Sequence, residues 1–141
     1  MIGSIGGTFN ILHEGHKDYI KTAFRFCEFV YIMLTTNKYT QKKYQVKSFN
    51  LRKKQIVEYL KSLNIKRNKY KFIKIDNTKS LIGFMTKTNI NLVITSHEYY
   101  PLMKLINDIK IIKKLKPFLI LIKERLGIST TQLIEKNNNE M

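Results

Sequence analysis

The sequence predicts an α/β protein: one domain in which a five-stranded parallel sheet carries helices on both faces. Short apolar runs, typical of strands, alternate along the chain with longer segments whose apolar residues recur at helical spacing. Such alternation favours a doubly wound parallel sheet. The length of 141 residues also suits one domain, because a chain of this size buries most of its apolar surface around a single core.

The strands are predicted where short apolar runs lie between turn residues. Segment 29–34 is a continuous apolar run, typical of a strand that is covered on both faces of a parallel sheet. Segment 70–75 ends at Asp76, Asn77 and Thr78, residue types that favour turns and helix caps. In chain order, the five predicted strands cover residues 2–5, 29–34, 70–75, 91–95 and 118–122.

The helices are predicted where apolar residues fall on one helical face. In the first helix this face carries Ile20, Ala23, Phe24 and Cys27, and in the fourth it is predicted to carry Leu102, Leu105, Ile106, Ile109 and Ile112. Pro101 belongs in the first turn of the fourth helix, where its missing N–H costs no hydrogen bond. The predicted helices cover about residues 15–28, 49–63, 80–87, 99–115 and 129–136. The domain is predicted to cover residues 1–136, followed by a frayed tail over 137–141.

The segment 35–48, between the second strand and the second helix, is polar and basic and has no periodic pattern. Loops of this length inside a compact domain are often functional. We therefore expect this segment to contribute to a binding site.

The charge is extreme for a chain of this length. The sequence has 26 Lys and Arg against 10 Asp and Glu, a formal net charge of +16. Such a field favours polyanionic ligands: nucleotides, phosphorylated metabolites, RNA or an acidic membrane surface. A compositional bias toward Lys, Asn and Ile accounts for the charge equally well, so the charge indicates an anionic ligand without identifying it.

Cys27 is the only cysteine, which excludes an intramolecular disulfide and favours a reducing compartment. Its place on the apolar face of the first helix predicts a buried, inert thiol. Gly3, Gly6 and Gly7 interrupt the leading apolar run, so no signal peptide is predicted. The longest apolar run, 118–122, is too short to span a bilayer. We expect a cytoplasmic protein that makes no use of a membrane.

The segment 2–16 has the pattern of a phosphate site. A short strand is followed by Gly6 and Gly7, which are predicted to form a tight turn, and by a helix that begins near Gly15. A helix N-terminus presents free amides and the positive end of the helix dipole to an anion. His13 and His16 lie where such an anion would bind. Two other interpretations stay open: a metal pair completed by Glu14, for which the sequence offers no further zinc ligands, and simple helix capping.

Segment 6–16 reads Gly-Gly-Thr-Phe-x-x-Leu-His-x-Gly-His and resembles the signature of the His-x-Gly-His nucleotidylyltransferase superfamily. Segment 128–131, Ile-Ser-Thr-Thr, is similar to the second signature of that superfamily. Aminoacyl-tRNA synthetases share the histidine motif but are far longer than this chain. The resemblance implies a Rossmann-like domain, in which ligands bind beyond the carboxyl ends of the strands.

Within the superfamily, the chain is most similar to the archaeal and eukaryotic type of phosphopantetheine adenylyltransferase. The similarity rests on Thr-Ser-His-Glu-Tyr at 95–99, Ile-Asn at 106–107 and Leu-Lys-Pro at 115–117. The basic loop that leads into the second helix also resembles that family, through Lys42, Lys43, Lys47, Phe49 and Arg52.

The chain departs from this family at identifiable positions. Asn10 stands where the family usually has Asp, and Gln132 stands where the subfamily usually has a phosphate-facing Arg. Segment 124–131 is also similar to the corresponding stretch of glycerol-3-phosphate cytidylyltransferases, and archaeal FMN adenylyltransferases are further relatives. The nucleotide base and the acceptor are therefore left open by the motifs.

The resemblance implies transfer of AMP from ATP to 4′-phosphopantetheine, giving dephospho-coenzyme A and pyrophosphate. Such in-line transfer needs positioning and positive charge rather than a protein nucleophile. The implied catalytic residues are His16, His13 and Lys43, with Lys42 as the alternative to Lys43. Nucleotide binding is assigned to Gly7, Thr8, Phe9, His13, Gly15, His16, Ser96, Glu98, Ser129, Thr130 and Thr131, and acceptor binding to Thr8, Lys42, Lys43 and Arg52.

No residue is assigned to a metal, because Mg²⁺ is expected to bridge the nucleotide phosphates with few protein ligands. The oligomeric state is not readable from the sequence. Two other functions stay open. One is a CTP-dependent cytidylyltransferase that acts on a small phosphorylated alcohol. The other is a non-catalytic, basic nucleic-acid-binding protein, although the sequence has no stacking array of aromatic residues.

Overall fold

A computed structural model describes residues 1–39 and 46–123 of the chain. The strands are β1 (Ile2–Gly7), β2 (Phe29–Thr35), β3 (Tyr70–Ile75), β4 (Leu92–Thr95) and β5 (Leu119–Ile122), and the helices are α1 (Glu14–Phe26), α2 (Phe49–Ser62), α3 (Thr78–Lys87) and α4 (Tyr100–Ile112). Two 3₁₀ turns, Arg67–Lys69 and His97–Tyr99, precede β3 and α4. The predicted helix 129–136 and the tail 137–141 lie outside the described residues.

The five strands form one sheet in the order β3-β2-β1-β4-β5, and every neighbouring pair is parallel. One core, between the sheet and helices α1 and α2, is centred on buried side chains such as Ile5, Ile20 and Ile56. A second core, on the opposite face under α3 and α4, includes Met85 and Ile106. The predicted fold class, a doubly wound parallel sheet with helices on both faces, is confirmed.

The first strand lies at the centre of the sheet, and the order of the strands reverses beside it. β1 pairs with β2 over its whole length but with β4 only through Gly3 and Ser4. Beyond that point Tyr19 of α1 bridges the two strands, since its hydroxyl donates to Ile94 O and lies 3.5 Å from Gly6 N. Ligands of such sheets bind in the crevice where the strand order reverses. The fold therefore predicts a site after β1 and β4.

The two glycines after Ile5 do not form the predicted turn, because β1 continues through both of them. Close packing explains the small side chains there. A Cβ atom on Gly6 would lie 3.3 Å from Met33 atoms of β2, and one on Gly7 would lie 3.1 Å from the ring of Phe9. The glycines thus let the neighbouring strand and the following loop approach β1 closely.

The predicted apolar face of α4 is partly wrong. Leu105 is 49% exposed and Ile112 is 80% exposed, whereas Met103, Ile106 and Lys110 are buried. This helix has apolar side chains around most of its circumference, so the period alone does not select the face that packs on the sheet. The polar ammonium of Lys110 is accommodated because it donates to main-chain carbonyls at the end of α3.

Other boundaries differ by only a few residues. α3 begins at Thr78 rather than near residue 80, because Asn77 and Ser80 form a reciprocal capping box. Cys27 is buried as predicted, although it lies directly after α1 rather than within it. Within the described residues, no helix is long and apolar enough to cross a membrane.

Candidate active site

The loop between β1 and α1 lies at the carboxyl edge of the central strand. Phe9 takes a left-handed backbone conformation with φ of 49°, which is uncommon for a residue with a bulky side chain. Its buried ring lies 5.1 Å from the ring of His16 and 6.3 Å from the ring of Tyr19, measured between centroids. Phe9, a predicted nucleotide-binding residue, therefore packs its ring against the ring of His16. Its contact with a nucleotide stays a prediction.

His13 is the N-cap of α1. Its Nδ1 atom accepts from Gly15 N at 3.0 Å and from His16 N at 3.3 Å. Because Nδ1 accepts both bonds, the ring proton of the neutral imidazole stands on Nε2. The predicted capping role of His13 is therefore present in the structure. Its Nε2–H remains the group with which it would donate to an anion.

His16 has the opposite tautomer. Its Nδ1 atom lies 2.7 Å from Ile11 O, and since a carbonyl can only accept, Nδ1 is the protonated nitrogen. The two imidazole rings are stacked, with centroids 3.8 Å apart. For Nε2 of His16 to donate to a phosphate, the ring must be an imidazolium. When His13 is neutral, a positive charge on His16 meets no second positive charge in the ring stacked on it.

The amides at the start of α1 are not open to an anion in this structure. The sequence predicts that this helix N-terminus presents free N–H groups near Gly15, but His13 occupies the amides of Gly15 and His16. A side chain that fills the cap satisfies the orphan donors that an anion would otherwise use. The prediction that these two amides bind a phosphate therefore requires His13 to give up its cap.

Thr8 directly follows β1 and presents a hydroxyl at the same edge of the sheet. Its Oγ1 accepts a hydrogen bond from Thr35 Oγ1 at 3.1 Å, at the end of β2. Because that bond uses an acceptor lone pair, the single proton of Thr8 can be donated elsewhere. Thr35 is a site residue that the sequence did not single out, although the polar segment 35–48 begins with it.

Arg52, in the first turn of α2, lies beneath this loop. Its side chain is 0% exposed, and its guanidinium donates to Lys47 O at 2.9 Å, Thr8 O at 2.8 Å and Asn37 Oδ1 at 2.9 Å. Burial lowers the pKa of this group from its usual value. In this structure Arg52 is held by the residues that it binds. Its contact with a phosphate stays a prediction.

Asn10, where the resemblance leads one to expect Asp, also binds this loop. Its side-chain oxygen accepts from Lys47 N at 2.7 Å. Asn10 thus accepts this backbone hydrogen bond with a neutral oxygen, where an aspartate would offer a charged one.

An apolar cavity of about 230 Å³ adjoins Thr8 on the face of the sheet that carries α3 and α4. Gly6, Gly7 and Thr8 form one wall. The remaining lining is Tyr19, Met33, Thr35, Tyr39, Ile75, Leu81, Val93, Ile94, Thr95, Ser96, Tyr99 and Met103. The sequence reasoning missed this cavity because its walls come from strand and helix ends that are far apart in the chain.

Ser96 and Glu98, both predicted to lie near the nucleotide, follow β4. Ser96 lines the cavity, and its buried hydroxyl has no hydrogen-bond partner among the described residues. Glu98 is exposed in the following 3₁₀ turn. The two are therefore placed differently: Ser96 faces the cavity, and Glu98 lies on the rim of the crevice.

Several predicted site residues lie outside the described part of the chain: Lys42, Lys43, Ser129, Thr130 and Thr131. Their assignments stay predictions. Within residues 1–39 and 46–123, no three metal-ligating side chains come together.

Comparisons with known proteins agree with this geometry. Residues 4–136 match the model of the family described as cytidylyltransferase-like. A phosphopantetheine adenylyltransferase of Methanosarcina mazei is 32% identical over 138 residues, covering 92% of this chain and 88% of that protein. A phosphopantetheine adenylyltransferase of Pyrococcus abyssi is 34% identical over 131 residues, covering 87% of this chain and 80% of the relative.

Solved structures support the fold. A protein of unknown function from Archaeoglobus fulgidus superimposes with a TM-score of 0.76 at 23% identity, covering 92% of this chain and 94% of that one. A bifunctional NMN adenylyltransferase/ADP ribose pyrophosphatase from Francisella tularensis gives a TM-score of 0.72 at 16% identity, with 99% of this chain and 42% of that chain covered. At these identities the likeness concerns the fold alone.

Proposed function

This chain belongs to the cytidylyltransferase-like family, and we propose from that premise that it transfers AMP from ATP to 4′-phosphopantetheine in coenzyme A biosynthesis. Relatives named for this activity match most of the chain at 30–34% identity. The structural observation that supports the proposal is the position of Thr8, which lines the apolar cavity and directly precedes Phe9, whose ring packs against His16. One residue thus adjoins a place for phosphates and a place for an uncharged acceptor arm.

The reaction needs no protein nucleophile. An oxygen of the acceptor phosphate attacks the α-phosphorus of ATP, a new P–O–P bond forms, and the bond from the α-phosphorus to the β-phosphate oxygen breaks. Pyrophosphate leaves with that electron pair. Catalysis therefore depends on holding two anions in line and on stabilising charge on the transferring group.

His16 and His13 are proposed to donate to the phosphates through their Nε2 atoms. In the protonated His16 this nitrogen becomes a charged donor, because Nδ1 is already held by Ile11 O. His13 donates as a neutral ring while its Nδ1 caps α1. Thr8, whose hydroxyl proton is not used by Thr35, would hold the attacking phosphate near the α-phosphorus.

The cavity is proposed to take the pantetheine arm of the acceptor. That arm is an uncharged chain with two amides, which suits apolar walls and a few hydrogen-bonding groups. Ser96 offers a hydroxyl inside the cavity, so this proposal assigns it to the acceptor arm, whereas the resemblance implies that it binds the nucleotide. The nucleotide would then lie on the other side of Thr8, over the rings of His13 and His16.

The assignments that rest on resemblance alone complete the proposal. Lys43, or Lys42 in its place, would neutralise the phosphates, and Ser129, Thr130 and Thr131 would hold the β- and γ-phosphates of ATP. Mg²⁺ would arrive with the nucleotide, and when bound it offsets the negative charge of the triphosphate. No described residue is assigned to it.

The test is pyrophosphate release by the purified protein with Mg²⁺, using ATP or CTP in combination with 4′-phosphopantetheine or glycerol 3-phosphate. Release only from ATP with 4′-phosphopantetheine is the expected result. Release from CTP with glycerol 3-phosphate would instead support the cytidylyltransferase function, which the sequence of segment 124–131 favours. No release from any pair, together with salt-sensitive RNA binding, would support the non-catalytic alternative.

A further inference from the structure

Among the described residues, Arg52 is the largest fully buried side chain. Its three guanidinium nitrogens each bind a different segment: Nη1 the loop after β1 at Thr8, Nη2 the loop after β2 at Asn37, and Nε the chain before α2 at Lys47. A planar fork of donors is suited to hold three acceptors in a fixed relation. The loop after β1 and both ends of the loop between β2 and α2 are thus joined at one side chain.

All of these acceptors are neutral. Thr8 and Lys47 offer main-chain carbonyls, and Asn37 offers an amide oxygen. Asn10, whose side-chain oxygen accepts from the backbone N–H of Lys47, is also an amide. Among the described residues, no carboxylate lies within ion-pair distance of Arg52. Within the described part of the chain, its charge is therefore hydrogen-bonded but not neutralised.

A buried cation without a counterion is costly for stability. The arginine remains charged at neutral pH even though burial lowers its pKa, because that pKa starts far above neutrality. An aspartate in place of Asn37 would offer the same acceptor oxygen and would neutralise the charge. Because Asn10 and Asn37 are both amides, the positive charge of Arg52 directly behind Thr8 is not cancelled by either of them.

We propose that Arg52 is a positioning residue that fixes Thr8 and, because amides rather than carboxylates surround it, also supplies an uncancelled positive charge behind the substrate phosphates. This role of Arg52 rests on the proposed function where it names the acceptor. The attraction of a nucleotide by the charge does not depend on which acceptor is used. A charge in a water-poor environment acts strongly over short distances and is screened little by salt.

Asn37→Asp tests the charge. The carboxylate would lie against Nη2 of Arg52, where the amide oxygen is now 2.9 Å away, while two long bonds from Asn37 Nδ2 to Val46 O (3.5 Å) and Lys47 O (3.3 Å) would be lost. We expect a raised thermal midpoint together with an ATP dissociation constant raised on the order of tenfold. A residue that only holds the fold together would move stability and affinity in the same direction.

The matched control is Asn50→Asp, which adds the same charge at an exposed position of α2. We expect little change in ATP affinity at physiological salt, because exposed charges are screened. ATP binding measured by calorimetry, at low and at high salt, separates the two variants: the loss in Asn37→Asp should persist at high salt. Unchanged affinity in Asn37→Asp, or a loss that salt abolishes, would overturn the role of the charge.

Arg52→Lys tests the positioning. A lysine keeps the charge but cannot donate to three segments in one plane, so we expect ATP affinity close to that of the wild type and a kcat lowered on the order of tenfold or more. Wild-type kcat in Arg52→Lys would overturn the positioning role. If the wild-type protein releases no pyrophosphate from 4′-phosphopantetheine, the proposed function fails, and the ATP affinities still decide the charge effect.

Discussion

The chemistry of the site depends on single nitrogen atoms. His13 accepts through Nδ1 and His16 donates through Nδ1, although the two rings are stacked and only three residues apart. One ring is thereby fixed as a neutral donor at Nε2. The other can donate at Nε2 only after it gains a proton.

This difference is measurable by ¹⁵N NMR of the histidine side chains. In the free protein at alkaline pH, we expect His13 to be the Nε2–H tautomer and His16 the Nδ1–H tautomer. The exposed His97 serves as an internal reference for an imidazole near water. The same tautomer for His13 and His16 would contradict the assignment of roles.

A second prediction concerns the transition state. Replacing His16 by Ala removes a donor that is needed most when charge develops on the transferring phosphate, so we expect turnover to fall on the order of 10² or more. ATP binding should be largely preserved, and calorimetry would measure it. His97→Ala is the control variant, since that side chain is exposed in a 3₁₀ turn. Near-wild-type turnover of His16→Ala would remove this residue from the mechanism.

At the scale of elements, a side chain of α1 bridges the two central strands at the crevice. Tyr19 places its hydroxyl between Gly6 N of β1 and Ile94 O of β4, where the two strands no longer pair with each other. Tyr19 also lines the cavity, so the bridge forms part of the cavity wall.

For Tyr19→Phe we expect the free energy of unfolding in urea to fall by about 1–3 kcal/mol, because a buried main-chain carbonyl loses its donor. Tyr59→Phe is the matched control, since its hydroxyl donates to Lys17 O at 3.3 Å in a partly buried position. That variant should lose less than about 1 kcal/mol. Equal losses in both variants would argue against a special role for the bridge.

Helices α3 and α4 are connected through Lys110, which is 3% exposed and donates to Met85 O and Thr88 O at 3.4 and 3.3 Å. Burial lowers the pKa of its ammonium group. The unfolded chain therefore binds more protons than the folded protein between the folded pKa and the unfolded value of about 10.4. Between those two pKa values, the contribution of Lys110 to the free energy of unfolding rises with pH.

We accordingly expect the wild-type protein to gain stability with pH, below about pH 10.4, relative to Lys110→Met. The measurement is the free energy of unfolding in urea at several alkaline pH values. Lys104→Met, at an exposed position of the same helix, should leave the pH dependence unchanged. Parallel pH profiles for the wild-type protein and Lys110→Met would contradict the prediction.

The strands and helices within the described residues could be predicted from the sequence to within a few residues, because apolar period and length are local properties. The face of α4 and the burial of Lys110 could not, since they depend on which neighbours the helix meets. The motif located His13, His16 and Thr8 correctly at one edge of the sheet. It could not show that His13 occupies the helix amides or that Arg52 lies under the loop, because both depend on side-chain direction.

At the scale of the whole molecule, the net charge of +16 should influence how substrates arrive. A positive field raises the rate at which anions encounter the site, and salt weakens it. We expect the association rate of ATP, measured by stopped-flow mixing, to fall between low salt and about 0.15 M salt. Adenosine, which is uncharged, is the control ligand. A salt-independent ATP rate would mean that the charge is compositional and does not steer the nucleotide.

The order of the strands also has a consequence for synthesis of the protein. β1 is translated first but lies at the centre of the sheet, with one partner strand close in sequence and the other far away: Thr8 and Thr35 are 27 residues apart, whereas Ile2 and Asn91 are 89 residues apart. A nascent chain can form the β1–β2 half early, but one edge of its central strand stays unpaired until β4 leaves the ribosome. The histidine pair and Thr8 are therefore made long before the cavity wall from β4 and α4. During that interval the nascent chain has the histidine pair and Thr8 but lacks the cavity walls from β4 and α4, and the open edge of β1 is a place where another strand can pair.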